Sequence, residues 1–540
     1  MTNTSDTIAA ISTPAGTGGI AVIRVSGNDA IEIVNKAWKG KPLTEAVSHS
    51  AHLGNYIATD GSTLDQAVAT IFRAPASFTG ENIVEISLHG SRWIQREVLA
   101  DLIRRGARTA MPGEFTQRAF LNGKLDLAQA EGVADLIASS SRAAHNLAIS
   151  QTRGNFSREL NTLRDRLVEF ASLLELELDF SEEDVEFADR TNLLSLANQI
   201  LRKIDRLAAS YSSGAAIKDG VPVVIAGIPN AGKSSLLNLL VGDDKAIVSD
   251  IPGTTRDSIE DTVEIDGILY RFIDTAGLRA TSDTIENLGI DRARAKMRDA
   301  VIVIWIIDPT SPLPSQTAEL NAFRAANPDK PIITLLNKSD LTPTDTSVSP
   351  VSPVSSVSPV SSVSPVSPVS SVSPVSTVSP DTTDTTDTTD TGNTGNPINI
   401  DNPVNPVNSV NPVNIDNPVN PVNTVNTVNT PESNNTPDIL PFSTKTGQGL
   451  DELRQRLTRL TYGDIDPRNE LIVTNSRHYE ALTRGSDSLR RAIDAIQNGV
   501  TADFIAQDIR ETLHHLGTIT GAITPDTLLH NIFSHFCIGK

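Results

Sequence analysis

Eight residues, Gly227-Ile228-Pro229-Asn230-Ala231-Gly232-Lys233-Ser234, narrow the possible architectures more than anything else in the 540-residue chain. Their spacing is G-x-x-x-x-G-K-S, with a run of β-formers (Val221 to Ala226) before it and helical spacing (Ser235 to Val241) after it. A glycine-rich turn between a strand and a helix aims backbone N–H groups at one point, where the helix dipole also favours an anion. The pattern predicts a phosphate-binding loop in an α/β domain with a mostly parallel sheet. Lys233 is placed to reach β- and γ-phosphates and the Ser234 hydroxyl to take a magnesium position, with Asn230, Ala231, Gly232 and Ser235 completing the loop. A chance glycine-rich turn has no reason to carry both the strand and the helix.

Further along, four more segments follow in the order such a site requires. Ser249-Asp250-Ile251-Pro252-Gly253-Thr254-Thr255 lies where a first switch belongs, and Thr255 is the candidate second hydroxyl ligand of magnesium. Asp274-Thr275-Ala276-Gly277 ends a β-run, where a carboxylate can hold magnesium through water and a glycine N–H can meet the γ-phosphate. Asn337-Lys338-Ser339-Asp340 follows the apolar run Ile332 to Leu336. The Asp340 carboxylate can accept from both N1–H and the 2-amino group of guanine, a pair of donors that adenine lacks. Ser443-Thr444-Lys445 follows the next run and would close over the base. The combination predicts a GTP hydrolase. Many such enzymes orient water with a glutamine after the aspartate-x-x-glycine motif; here that place is Leu278, which cannot hydrogen-bond. Asn230 and Glu286 remain as candidates to help, although from spacing alone Glu286 reads more readily as a solvated surface carboxylate.

Around this nucleotide segment the hydrophobic period changes twice. Residues 1–124 mix β-rich runs (Gly19 to Val25, Ala67 to Phe72, Ile83 to Leu88) with a helical stretch near Ile94 to Arg104. From Leu125 the pattern is helical, and Phe156, Leu160, Leu163, Leu167, Phe170 and Leu174 form a seam of alternating four- and three-residue steps. Continuous apolar runs then take over (Val221 to Ala226, Leu269 to Ile273, Val301 to Ile307, Ile332 to Leu336, Ile439 to Phe442), as suits a sheet covered on both faces. Helical patterning returns from Leu450. The expected fold class is multidomain α+β and α/β. It comprises an N-terminal α+β domain (1–124), a discontinuous α-helical domain (125–216 and 462–540) and an inserted Ras-like P-loop domain (217–461).

Inside the last of these, residues 342–438 are low in complexity: Val-Ser-Pro units give way to Asp-Thr-Thr and then Asn-Pro-Val-Asn units. No aromatic residue occurs there, so disorder is expected, as a tolerated loop expansion or an interaction arm. The segment holds nine carboxylates and no Lys, Arg or His, so of the formal net charge of −20 the rest of the chain carries −11. That balance argues against a broad electrostatic grip on nucleic acid. No apolar stretch approaches the roughly 18 residues needed to cross a bilayer. No basic-then-apolar leader opens the chain, so no secretory signal is expected. Cys537 is the sole cysteine, which excludes an internal disulfide and fits a reducing, cytoplasmic compartment.

Pro229-Asn230-Ala231, Gly253-Thr-Thr-Arg-Asp257 and Asp274-Thr-Ala-Gly-Leu-Arg279 together resemble the MnmE (TrmE) family of tRNA modification GTPases. The same family is matched by Asp6-Thr-Ile-Ala, Ile23-Arg24-Val-Ser-Gly, Ser77-Phe-Thr-Gly-Glu, Pro112-Gly-Glu-Phe-Thr, Arg118-Ala-Phe-Leu-Asn-Gly-Lys124 and the closing Phe536-Cys537-Ile-Gly-Lys540. The resemblance implies a potassium ion held by Asn230, Ser249, Ile251 and Thr254, and a water positioned by Glu286 as two such domains meet in a homodimer. It implies a 5,10-methylenetetrahydrofolate pocket at Arg24, Glu85 and Lys124, and a role for Cys537 in tRNA modification and not in hydrolysis. It also implies a flavoprotein partner, MnmG (GidA), that carries the FAD, joined in a heterotetramer that adds an aminomethyl or carboxymethylaminomethyl group to C5 of the tRNA wobble uridine. This chain departs from the family in the long repeat segment and at Thr444, where alanine is usual. The rival reading is a ribosome-assembly or regulatory GTPase of the Era-like group; the basic RNA-binding module that a ribosome-assembly factor should carry is not found.

Overall fold

The computed structural model describes residues 6–179, 190–243, 260–273, 300–341, 439–463, 465, 470–523 and 525–539. The repeat segment 342–438 lies outside them.

Seven strands build the N-terminal sheet: β1 (Ile8–Ile11), β2 (Gly18–Ser26), β3 (Trp38–Gly40), β4 (Ser50–Ile57), β5 (Thr63–Phe72), β6 (Ile83–Gly90) and β7 (Arg108–Thr109). Their order is β3-β4-β5-β6-β2-β1-β7, antiparallel except where β7 joins β1. Alternate residues of the central strands (Ala67, Ala69, Ile71; Val84, Ile86, Leu88) face helices α1 (Ala30–Asn35) and α2 (Arg92–Arg104), which bring Ile33, Val34, Val98 and Leu102. Helix α3 (Glu114–Leu121) follows β7. Three of these strands stand out in the sequence. β1 is alanine-rich and β4 carries buried residues only at Gly54 and Tyr56, so neither has the β-branched alternation that marks a strand.

Five helices come next: α4 (Leu127–Ala138), α5 (Arg142–Thr152), α6 (Asn155–Asp179), α7 (Arg190–Ala209) and α8 (Tyr211–Asp219). Helix α4 starts at a reciprocal cap, Asp126 Oδ1 accepting from Gln129 N–H at 2.8 Å and Gln129 Oε1 from Asp126 N–H at 3.0 Å. The α6 seam is buried throughout, from Phe156 to Leu174. Between α7 and α8 the pattern breaks at Ser210, whose hydroxyl donates to the Leu207 carbonyl and accepts from Val473 N–H. A side chain that bonds its own backbone in this way competes with the helical ladder.

The second sheet contains β8 (Val221–Gly227), β9 (Glu260–Ile265), β10 (Ile268–Ile273), β11 (Ile302–Ile307), β12 (Ile332–Leu336) and β13 (Ile439–Pro441), in the order β13-β12-β11-β8-β10-β9. All neighbours are parallel except β9 and β10. Every residue of β11 is buried, as a strand covered on both faces requires. Helices α9 (Lys233–Asp243), α10 (Leu313–Ala326) and α11 (Leu450–Tyr462) follow β8, β11 and β13 respectively. The edge strand β9 opens with three polar residues, Glu260 to Thr262, and has apolar side chains only at Val263 and Ile265, so no continuous apolar run marks it.

Three helices complete the chain: α12 (Ser476–Gln497), α13 (Ala502–Thr520) and α14 (Asp526–Ser534). Leu482, Leu489, Ile493, Ile505, Ile509 and Leu516 pack into the same core as the α6 seam and Ile200 and Ile204 of α7. Burial of each such side chain is worth roughly 1.5–3 kcal/mol. The helical unit is thus one core made of two chain segments, with the second sheet between them in sequence. A buried ion cluster also joins the segments. Glu131 of α4 accepts from Arg477 Nε (2.9 Å), Arg477 Nη2 (2.8 Å) and His478 Nε2 (2.6 Å). No helix among the described residues is long and apolar enough to cross a membrane.

Candidate nucleotide site and the N-terminal ion pairs

Strand β8 ends at Gly227 and the chain turns through Pro229 and Asn230 into α9, as the eight-residue pattern predicts. Asn230 has φ +63° and Gly232 φ +104°, so the turn uses the left-handed region twice. Glycine is required at the second position, because a Cβ there would stand 2.2 Å from Asn337 Nδ2. Lys233 Nζ donates to the carbonyls of Gly227 (2.8 Å) and Ile228 (2.9 Å), folding back over the loop. Ser234 and Ser235 are exposed in the first turn of α9.

The guanine-reading segment meets this loop directly. Asn337, 1 % exposed, donates from Nδ2 to the Ala231 carbonyl (2.7 Å) and accepts at Oδ1 from Thr444 N–H (3.1 Å). One side chain therefore ties three segments that are far apart in sequence. Asp340 Oδ1 accepts from the Ser443 hydroxyl at 2.8 Å, and Ser339 Oγ donates to Gln448 Oε1 at 3.1 Å. The loop Ser443–Gln448 closes on itself, with Ser443 N–H donating to the Gln448 carbonyl (3.1 Å) and Thr446 N–H to Ser443 Oγ (3.2 Å). Lys445 is exposed.

Sequence reasoning did not single out Asp308, Gln316 or Gln448. Asp308 follows β11 and binds Lys338 Nζ at 2.6 Å. Burial raises the Asp308 carboxyl, but Lys338 and the hydroxyl and N–H of Thr310 outweigh it and leave it below the usual carboxylate range. A carboxylate just past an all-apolar strand, at the edge where the loop binds, was the signal available. Ser249, Asp250, Ile251, Pro252, Gly253, Thr254, Thr255, Asp274, Thr275, Ala276, Gly277 and Glu286 lie outside the described residues. Among the described residues no group of three His, Cys, Asp or Glu side chains is placed to hold a metal ion.

In the N-terminal sheet, Arg24 and Glu85 face each other across β2 and β6. Arg24 donates from Nε (2.9 Å) and Nη2 (2.7 Å) to Glu85 Oε1, and its guanidinium lies 5.6 Å from the ring centres of Phe78 and of Phe115. Lys124 Nζ donates to the Pro75 carbonyl at 3.1 Å. Arg24 and Lys124 thus both meet the β5–β6 connection. Behind them Arg118, 3 % exposed, bonds Asp6, Glu81 and Glu114. Several of the motif residues at this end of the chain are therefore held in buried ion pairs.

The chain's last residues return to this region. Helix α14 packs its Phe533 against Phe120 of α3, with ring centres 6.4 Å apart. Beyond it, Gly113 N–H donates to the Cys537 carbonyl (3.3 Å) and Ser12 Oγ to the Gly539 carbonyl (3.0 Å). Gly113, at φ +65°, cannot bear a Cβ, which would lie 2.6 Å from the Phe533 carbonyl oxygen. Cys537 is exposed on this tail, so the fold brings it beside α3, the helix whose Phe115 underlies Arg24.

A glycine-rich turn between β8 and α9, with Asn337 and Asp340 beyond β12 at the same edge of a parallel sheet, defines a P-loop protein of the guanine-nucleotide-binding class. Comparison with known proteins is more specific. Residues 127–537 match the MnmE helical domain and residues 7–124 the GTP-binding protein TrmE N-terminus. Relatives called tRNA modification GTPase MnmE include one from Cytophaga hutchinsonii, 43% identical over 544 residues, covering 100% of this chain and 99% of the relative. One from Bacteroides fragilis is 44% identical over 539 residues, covering 99% of each chain. One from Parabacteroides distasonis is 42% identical over 539 residues, covering 99% of this chain and 100% of its own. The chain belongs to the MnmE (TrmE) family.

Proposed function

We propose that this chain is a potassium-stimulated GTP hydrolase that acts in tRNA modification. Its proposed partner is a flavoprotein of the MnmG (GidA) type, and its proposed product carries an aminomethyl or carboxymethylaminomethyl group at C5 of the wobble uridine. The observation that carries the reading is the Asn337 side chain, which locks the phosphate loop to the base-closing loop through the Ala231 carbonyl and Thr444 N–H. In that frame Asp340 reads guanine by accepting from N1–H and the 2-amino group. Lys233 exchanges the Gly227 and Ile228 carbonyls for the β- and γ-phosphates. Magnesium, which Ser234 and Thr255 would hold, supplies charge neutralisation on the phosphates when bound. Potassium would sit on Asn230, Ser249, Ile251 and Thr254, and Glu286 would orient the water. The exposed first turn of α9 and the positive φ of Asn230 leave Ser234 and the Asn230 side chain at the loop's open face, which fits those assignments.

The proposed division of labour is an N-terminal folate-binding and dimerisation domain (1–124), a helical domain in two parts (125–216 and 462–540) and the G domain between them (217–461). Arg24, Glu85 and Lys124 would take the folate's donors and its glutamate tail, with Cys537 serving the tRNA reaction in the cytoplasm. The test is GTP turnover with potassium replaced by sodium at constant ionic strength, across a range of protein concentrations. We expect turnover to fall at least tenfold in sodium and to rise per molecule with concentration. Indifference to both overturns the potassium and dimer reading.

A further inference from the structure

We infer that Asp308 is a positioning residue for guanine-nucleotide binding, acting through Lys338; this rests on the GTP-binding reading above. Strands β11 and β12 run parallel with Ile307 beside Leu336, so the residues that follow them leave the sheet at the same edge. Lys338 emerges there with φ +61°, a conformation that a side-chain-bearing residue adopts only when its surroundings hold it. Its ammonium is held by Asp308 Oδ2 at 2.6 Å and approaches Thr310 Oγ1 at 3.4 Å.

Asp308 is built to stay where it is. It is 3 % exposed, and its second oxygen accepts from Thr310 N–H (2.9 Å) and Thr310 Oγ1 (2.7 Å). Its backbone is clasped by Gln316, itself 2 % exposed: Asp308 N–H donates to Gln316 Oε1 at 2.9 Å, and Gln316 Nε2 to the Asp308 carbonyl at 2.9 Å. A lysine end group that would otherwise be strongly hydrated is thereby fixed on a buried carboxylate. Lys338 stands between Asn337, which holds the phosphate loop, and Asp340, which reads the base. Four consecutive residues thus have four separate anchors: Ala231, Asp308, Gln448 and Ser443. Releasing the second of them lets the backbone at Lys338 relax from its strained φ and turns the residues on either side. The cost falls on nucleotide affinity.

The experiment measures GDP affinity of the full chain by fluorescence titration with a methylanthraniloyl-labelled GDP. Asp308→Asn keeps the shape and one acceptor oxygen for Thr310, but removes the charge and puts an amide donor where Lys338 now finds an acceptor. We expect its Kd to rise roughly tenfold, as for the loss of one charge-assisted hydrogen bond. KM for GTP should rise with it, while kcat at saturating GTP changes less than twofold. Lys338→Met keeps the side-chain length and loses the ammonium, and should show a similar loss. The double variant should be no weaker than the weaker single one, the signature of two groups acting as one. A purely scaffolding Asp308 would give a loss that persists undiminished in the Lys338→Met background, and that result overturns the inference. So does a Kd for Asp308→Asn within twofold of the parent. If Asp308→Asn does not fold, an unchanged Kd for Lys338→Met overturns it equally. Failure of the parent chain to bind GDP would instead remove the GTP-binding reading itself.

Discussion

Replacing Glu131 with Gln should loosen the joint between the two halves of the helical unit, and by an amount that depends on pH. Glu131 is 6 % exposed and faces Arg477 and His478 across the boundary between α4 and α12. Burial alone would raise its carboxyl. His478 and Arg477 overcome that and bring it from an ordinary 4.5 down to about 2. At about 1.4 kcal/mol per tenfold change in the proton equilibrium, the ionised form contributes about 3 kcal/mol to the fold at neutral pH. The same order, roughly 3–5 kcal/mol, is expected from breaking a buried pair by removing one partner. Because the folded value lies below the unfolded one, this stabilisation is fully present above pH 4.5 and drains away as pH falls towards 2. Glutamine imitates the protonated acid, so parent and variant should converge in acid. Amide exchange in Leu127–Ala138 and Ser476–Gln497, resolved by peptide mass spectrometry, reads the opening free energy locally. Exchange in the variant should be roughly three hundredfold faster at pH 7 and only about tenfold faster at pH 3. A parent-to-variant ratio that does not change between these pH values would refute the linkage, and a ratio near one at pH 7 would show that the pair contributes nothing.

Three further outcomes follow from the site. Gly232→Ala forces a Cβ to within 2.2 Å of Asn337 Nδ2 at φ +104°, so GDP affinity should fall by roughly a hundredfold in the same titration; a loss under threefold contradicts the close approach. Cys537→Ser should leave GTP turnover within twofold of the parent and abolish the tRNA product seen by nucleoside chromatography, because the cysteine's segment is bonded to Gly113 and Ser12 of the N-terminal domain and not to the phosphate loop; equal loss of both activities refutes that separation. A chain in which 344–436 is replaced by a short Gly-Ser linker should keep GDP affinity within about threefold of the parent, and a collapse of affinity would assign those residues a part in the site.

What the sequence disclosed was decided by how local each signal is. The loop at Gly227–Ser234 is read from consecutive residues, and the α6 seam from one helical face; both appear in the fold where the pattern puts them. Asn337 was legible as a guanine-segment residue, but its bond to the Ala231 carbonyl joins positions 106 residues apart and has no trace in spacing. The same holds for Glu131 and His478, 347 apart, and for the Ser12–Gly539 bond that seats the C-terminal tail, 527 apart. Such contacts depend on how whole elements dock. Asp308 is intermediate: the strand before it is legible as an apolar run, and an acid standing immediately beyond six buried apolar residues is itself a local signal, whereas its bond to Lys338 is not.

The position of the repeat segment tests how far the site depends on chain continuity. Residues 337–340 and 443–445 must meet, yet about a hundred residues separate them. A wholly unstructured connection of that length, in place of the usual six or so, would cost only about 2–3 kcal/mol of closure entropy, since each doubling costs about 0.6 kcal/mol. Against that stand the pairing of β13 with β12, the burial of Leu440 and Phe442, and the bonds from Asn337 and Asp340. Burial of Leu440 and Phe442 alone is worth roughly 3–6 kcal/mol, so the two guanine-reading loops are drawn together by the strand that precedes the second of them. An expansion at this point stretches the connection and leaves the anchors untouched. One placed between Gly227 and Lys233 would separate groups that converge only because they are consecutive.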